Sequence, residues 1–257
     1  EIWEVNTAAG STHEWISVAM SADGLIQTAV VNGGDIWHYN SNTEIWEINT
    51  SVGSTQEWIS VAMSADGLIQ TALPRVGFIW QYNSTTEIWE VNNSAGFFIG
   101  WASVAMSADG LTQSAAVSNG GNIWNYNPNN NIWEKDLGAG VKNWTSIAMS
   151  GDGLIKTALT DGGNIWYYNS TTDDWVEGDL PNVQWKTISM SSDGLTQSII
   201  SIEGDLWMNF FTNVDIMLNV KFVSQNRIIF NENISDIPRY ELLNNLDMGF
   251  GYNFTIR

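Results

Sequence analysis

Five Asp-Gly pairs, at Asp23, Asp66, Asp109, Asp152 and Asp193, are the most regular carboxylates in the sequence. Carboxylates are where cation binding or hydrolysis would begin. Each of these acids, however, stands before a glycine in a Ser-x-Asp-Gly string, where an Asp side chain caps the backbone of its own turn. They recur regardless of their neighbours and do not cluster, so a turn role is expected. Glycoside hydrolysis needs only two carboxylates at a suitable separation, and the 23 acidic residues of positions 1–210 supply chance pairs without any pair standing apart from the pattern. Holding an anionic sugar would need an arginine cluster, and Arg75 is the single arginine in that stretch. His13 and His38 are the two histidines; neither has metal-ligand spacing, and their counterparts forty-three residues on are Gln56 and Gln81. Both are expected to be surface polar residues. There is no cysteine, no Gly-x-Ser-x-Gly string, and no Gly-Gly pair opening a helical pattern. The expectation is therefore no enzyme, no cofactor and no metal site.

The elements that hold these residues are written in a repeat. The Asp-Gly pairs are spaced by 43, 43, 43 and 41 residues, and the 15 tryptophans divide into three classes of five. These are Trp3, Trp46, Trp89, Trp133 and Trp175; Trp15, Trp58, Trp101, Trp144 and Trp185; and Trp37, Trp80, Trp124, Trp166 and Trp207. Within a copy, runs such as "WISVAMS", "IQTAVV", "DIWHYN" and "EIWEIN" are rich in β-branched and aromatic residues and are separated by turn residues, so each copy reads as four short antiparallel strands. Stacked four-stranded units at a fixed period make a β-propeller, each sheet burying both faces against its neighbours. The fold expected is all-β: a five-bladed propeller over residues 1–210 and a small strand-rich C-terminal extension over 211–257. The opening "EIWEVN" matches the outer-strand strings at 44–49 and 87–92, and the fifth copy lacks that strand after Phe210. Residues 1–6 are thus expected to close the ring beside Leu206 to Phe210.

"SVAMSADG", an apolar strand, a Gly-rich turn and "IWHYN" together resemble the WD-repeat pattern across residues 1–210, with Tyr-Asn where Trp-Asp would end the strand and no Gly-His pair. The sequence is similar to the looser tandem-repeat propellers of microbes and large viruses, and the blade count is similar to that of the tachylectin class of sugar-binding propellers. No ligand motif carries over with that blade count.

Composition narrows the partners. A formal net charge of −19 repels phosphate backbones and anionic lipid, which excludes nucleic acid as a natural ligand. No apolar run approaches the roughly eighteen residues of a membrane span, so no membrane insertion is expected. The chain begins at Glu1-Ile2-Trp3, as a mature or excised piece would. In the extension, "VDIMLNVKFV" alternates as a strand does, "IPRYELLNNL" suits a short helix and "GFGYNFTI" a closing strand. That tail is expected to pack on the ring or to pair with other copies as a homo-oligomer.

Variation concentrates in the connection before each second-class Trp and in the turns "NGGD", "PRVG", "NGGN", "DGGN" and "EGD", which share one face of a WD-type ring. A ligand site there would be built from Trp15, Trp58, Trp101, Trp144 and Trp185 as aromatic platforms with Asn32, Asp35, Asn119, Asn122, Asp161 and Asn164 as polar partners, against the other reading of the same rings as packing between blades. Flat apolar rings beside amides and carboxylates suit glycans, so lectin-like recognition on an extracellular or virion surface is the leading expectation. A rigid structural scaffold attached through residues 211–257 is the alternative.

Overall fold

A computed structural model describes residues 6, 9, 13–53, 55–178, 183–211, 217–223 and 227–230. The first unit is β1 (Trp15–Met20), β2 (Ile26–Gly34), β3 (Ile36–Asn40) and β4 (Ile45–Asn49). The second is β5 (Gln56–Met63), β6 (Ile69–Pro74), β7 (Ile79–Asn83) and β8 (Ile88–Asn92). The third is β9 (Trp101–Met106), β10 (Gln113–Val117), β11 (Ile123–Asn127) and β12 (Ile132–Asp136), and the fourth is β13 (Trp144–Met149), β14 (Lys156–Thr160), β15 (Ile165–Asn169) and β16 (Asp174–Gly178). Every unit is an antiparallel meander, as the alternation of strand and turn strings predicts.

Both turn types follow from local chemistry. In the Ser-x-Asp-Gly turn, the Ser107 hydroxyl donates to Asp109 Oδ1 at 2.5 Å, the same oxygen accepts Leu111 N–H at 3.0 Å, and Thr112 N–H donates to Ser107 Oγ at 3.0 Å. Gly110 closes the turn at φ 74°, in the left-handed region glycine enters at least cost. The turn between third and fourth strands is capped by the strand-ending Asn: Asn40 Oδ1 accepts from the N–H of Asn42 and Thr43, and Asn83 does the same for Thr85 and Thr86. That is the local role of Tyr-Asn at the end of the third strand.

Units join through a repeated set of contacts. At the Asp-Gly turns, Ala22 N–H donates to Ala65 O, Ala65 to Ala108, Ala108 to Gly151 and Gly151 to Ser192, at 2.6–2.8 Å. Buried Thr28 donates to Gln70 Oε1 and Thr71 to Gln113 Oε1, both at 2.6 Å, and Thr157 to Gln197 at 2.9 Å. Apolar clusters fill each junction, for example Val30 and Ile36 of the first unit against Trp58, Val61 and Ala72 of the second. The core is therefore distributed between sheets, which is why the strands carry apolar residues on both faces.

The last unit departs from expectation. It runs β17 (Trp185–Met190), β18 (Thr196–Ser201) and β19 (Leu206–Phe211), and the outer edge of β19 is taken by β20 (Met217–Val223), with β21 (Arg227–Phe230) beyond it. Met208 pairs with Val220 and Phe210 with Leu218, so the place expected for residues 1–6 is filled from the C-terminal side. The physical reason is proximity: five residues separate β19 from β20, and loop-closure entropy favours a partner that near over one two hundred residues upstream. Ile2 to Val5 lie outside the described residues, as do the expected helix and closing strand of the extension.

Candidate binding face

The turns between second and third strands and the connections entering each first strand lie at one end of the sheets. Each second-class Trp sits there beside a β-bulge, where the register shifts between Trp15 and Ser17, Trp58 and Ser60, Trp144 and Ser146, and Trp185 and Thr187. A bulge re-aims the side chain at its start. It turns the ring toward the preceding unit: Trp58 Nε1–H donates to Gly34 O at 3.1 Å, Trp101 to Gly77 at 2.9 Å, Trp144 to Gly121 at 3.0 Å and Trp185 to Gly163 at 2.7 Å. These four rings are no more than 2% exposed. They are junction residues packed between sheets and present no platform to a ligand, so of the two readings of these rings the packing one holds for these four; a large ring with one donor is stabilised more by an apolar wall and a carbonyl than by water. Trp15 alone is 39% exposed, edge-on to His13 and Trp37.

The polar residues expected around those rings do lie at this end, but in separate units. Asn32 donates from Nδ2 to Glu14 at 2.9 Å, while its N–H donates to Glu14 O. Asp35 is half-buried, and its backbone carbonyl accepts from Val31. Asn119 is exposed at φ 56°, and Asn122 donates to Asp136 O at 3.2 Å. Asp161 is exposed, with its N–H bonded to Asn143 O, and Asn164 donates to Glu177. Each set serves its own turn, and no hydrogen bond joins one set to another among the described residues.

Sequence reasoning missed an aromatic group on the same end. Phe78 and Phe97 stand 4.9 Å apart between ring centres, and Phe97 and Phe98 5.1 Å. Phe98 is 90% exposed, and Val76 beside them is also exposed. Arg75 and Glu57 form an ion pair of 3.1 Å in the adjoining turn. The signal was present in "NNSAGFFIG", where the first two connections have "NTAAGSTHE" and "NTSVGSTQE".

Two polar side chains, half-buried His38 and buried Lys156, sit between units. His38 accepts Trp89 Nε1–H at 3.0 Å on Nε2 and is packed against Tyr82, and burial pushes its pKa down to about 4. It is a neutral junction residue rather than a surface one. Lys156 replaces the Gln of other units; its ammonium sits 4.5 Å from the Tyr168 ring centre and 3.4 Å from Asn125 Oδ1, and Asn125 in turn donates to Asp136 Oδ2. Burial lowers the Lys156 pKa, with Asp136 and Asp173 acting in the opposite sense. The five turn carboxylates are held below the usual range, first by their Ser hydroxyls and then by the Leu N–H groups. That is the signature of a capped turn rather than a poised acid or base.

No family model matches the chain, and no curated protein matches it. Among solved structures, the β-propeller domain of Cps50 (Swd1) from Myceliophteria thermophila is similar, with a TM-score of 0.65 at 9% identity over 86% of this chain and 71% of that one. With its repeated four-stranded antiparallel sheets, this chain has the β-propeller fold.

Proposed function

We propose that the protein is a non-catalytic binding scaffold that holds a protein segment at the end of the propeller where Phe78, Phe97 and Phe98 gather. The observation carrying this reading is Phe98, almost wholly in water and edge-on to a second exposed ring, Phe97. Contiguous exposed aromatics on a rigid frame are what an apolar anchor docks against. The net charge of −19 favours partners whose anchor is flanked by Lys or Arg. The test is a displayed peptide library selected on the full chain: basic sequences with an aliphatic or aromatic anchor are expected, with Phe98→Ala weakening them by about tenfold or more. Enrichment that ignores Phe98→Ala refutes the reading.

Glycan recognition is the second reading, supported by the exposed Trp15 ring at the end of the sheet where Asn32 bonds Glu14. A glycan array run with the full chain and with Trp15→Ala tests it; binding that survives the substitution removes it. The assembly reading, with residues 211–257 as the attachment element, draws on β20 and β21 extending the last sheet. A monomer mass by light scattering at all concentrations would remove the homo-oligomer from that reading.

A further inference from the structure

An asparagine followed by glycine can react with its own main chain. The glycine nitrogen, after losing its proton, attacks the side-chain carbonyl carbon of the asparagine. The new bond from nitrogen to Cγ closes a five-membered succinimide, the bond from Cγ to Nδ2 breaks, and ammonia leaves with the proton. Water then opens the ring at either carbonyl, giving aspartate or isoaspartate. The step needs a glycine nitrogen with no Cβ beside it, an N–H free to lose its proton, a side chain free to swing over it and a peptide free to turn.

The fold withholds these conditions at most such pairs. In the five Ser-x-Asp-Gly turns, the N–H of Gly24, Gly67, Gly110, Gly153 and Gly194 donates to the Ser carbonyl at 2.9–3.0 Å. Each Asp carboxylate there is held by the Ser hydroxyl and the Leu N–H. A carboxylate carbon is also a weaker electrophile than an amide carbon, which covers Asp161-Gly162 as well. The sequence has two Asn-Gly pairs, Asn32-Gly33 and Asn119-Gly120, in the closely matched strings "NGGDIW" and "NGGNIW". Asn32 is pinned: its Nδ2 donates to Glu14 Oε2 and its N–H to Glu14 O, both at 2.9 Å, and the pairs Asn32 with Glu57 and Gly34 with Gln56 tie this end of β2 to β5. Asn119 and Gly120 are instead the central residues of the turn between β10 and β11, at φ 56° and 84°, and both are exposed. The clamps stop on either side of them. Ser118 N–H donates to Gly100 O at 2.8 Å, and Gly121 exchanges two hydrogen bonds with Lys142 at 2.9–3.0 Å. Among the described residues, no hydrogen bond holds the Asn119 side chain or the Gly120 N–H. A Cβ built on Gly120 would meet nothing nearer than Asn143 Oδ1, at 4.0 Å.

We infer that Asn119 is a self-modification site, where the folded chain converts its own amide into aspartate or isoaspartate while Asn32 and the turn aspartates stay intact. The product adds a carboxylate at the end of the sheets that bears the variable connections, in a turn bonded to Gly100, two residues beyond Phe98. The inference is independent of what that end binds. The test is incubation of the full chain at mildly alkaline pH, folded and in urea, with Trp fluorescence confirming the state of each sample and peptide mapping reading the mass gain of amide-to-acid conversion. In the folded chain Asn119 is expected to convert at least about tenfold faster than Asn32, which reacts only in the fraction of molecules whose hydrogen bonds are open. In urea the two are expected to convert at similar rates, and Asn119→Gln is expected to abolish the fast mass gain. Equal rates in the folded chain would overturn the inference, as would an Asn119 that reacts only in urea. A preference for Asn119 that persists unchanged in urea would assign it to local sequence instead of the fold, and a fast mass gain that survives Asn119→Gln would place the reaction elsewhere; either result also overturns it.

Discussion

At the scale of single residues, the repeat makes each side chain its own control. His38 fills the position of Gln81 and accepts an indole N–H, so the folded state favours its neutral form. Unfolded His38 takes up a proton near pH 6.5, whereas in the folded chain it does so at about 4. Between those values the unfolded state binds more protons, so stability is full above about pH 6.5 and falls as the pH drops through the interval, by about 3 kcal/mol in all. Urea denaturation followed by Trp fluorescence at pH 7.5 and pH 4.5 is expected to show this loss, and His38→Gln to remove most of it. The turn carboxylates act lower. Their folded pKa values are depressed, so their contribution is present above the free carboxylate value and disappears as the pH falls through the folded one.

At the scale of elements, the junction rather than the sheet is the unit of stability. Gly110 sits at φ 74° with Ile69 Cδ1 at 2.7 Å from where a Cβ would stand, so Gly110→Ala carries both backbone strain and a clash and is expected to cost about 2–4 kcal/mol. Gly24→Ala has the same φ but no neighbour from another unit, and is expected to cost about 1–2 kcal/mol. Equal losses in thermal denaturation would show that Gly24 is as closely packed as Gly110. The same contrast applies to the indoles: Trp101→Phe strands Gly77 O in a buried junction and is expected to cost about 1–3 kcal/mol, against almost nothing for Trp15→Phe.

At the scale of the whole molecule, a charge of −19 repels itself across a compact body. Raising NaCl from about 10 mM to 150 mM shortens the screening length from about 30 Å to 8 Å and is expected to lift the melting temperature by a few degrees; a fall would mean that attractive pairs dominate. The sequence by itself determined the all-β class, the four-stranded pattern of the first copy to within about three residues at the strand ends and the role of the Asp-Gly turns, because β-branched alternation and turn chemistry act over a few residues and recur along the chain. It also marked the end of the sheets where variable connections gather. Tertiary structure alone decided which face each ring presents. Trp15 and Trp58 stand in the same Glu-Trp-Ile-Ser string, yet one is exposed and the other buried, because among the described residues only Trp58 has a sheet in front of it. Likewise "EIWEVN" and Met217–Val223 are both credible outer strands, and the contest for the edge of β19 was settled by distance along the chain, a term that no local pattern contains.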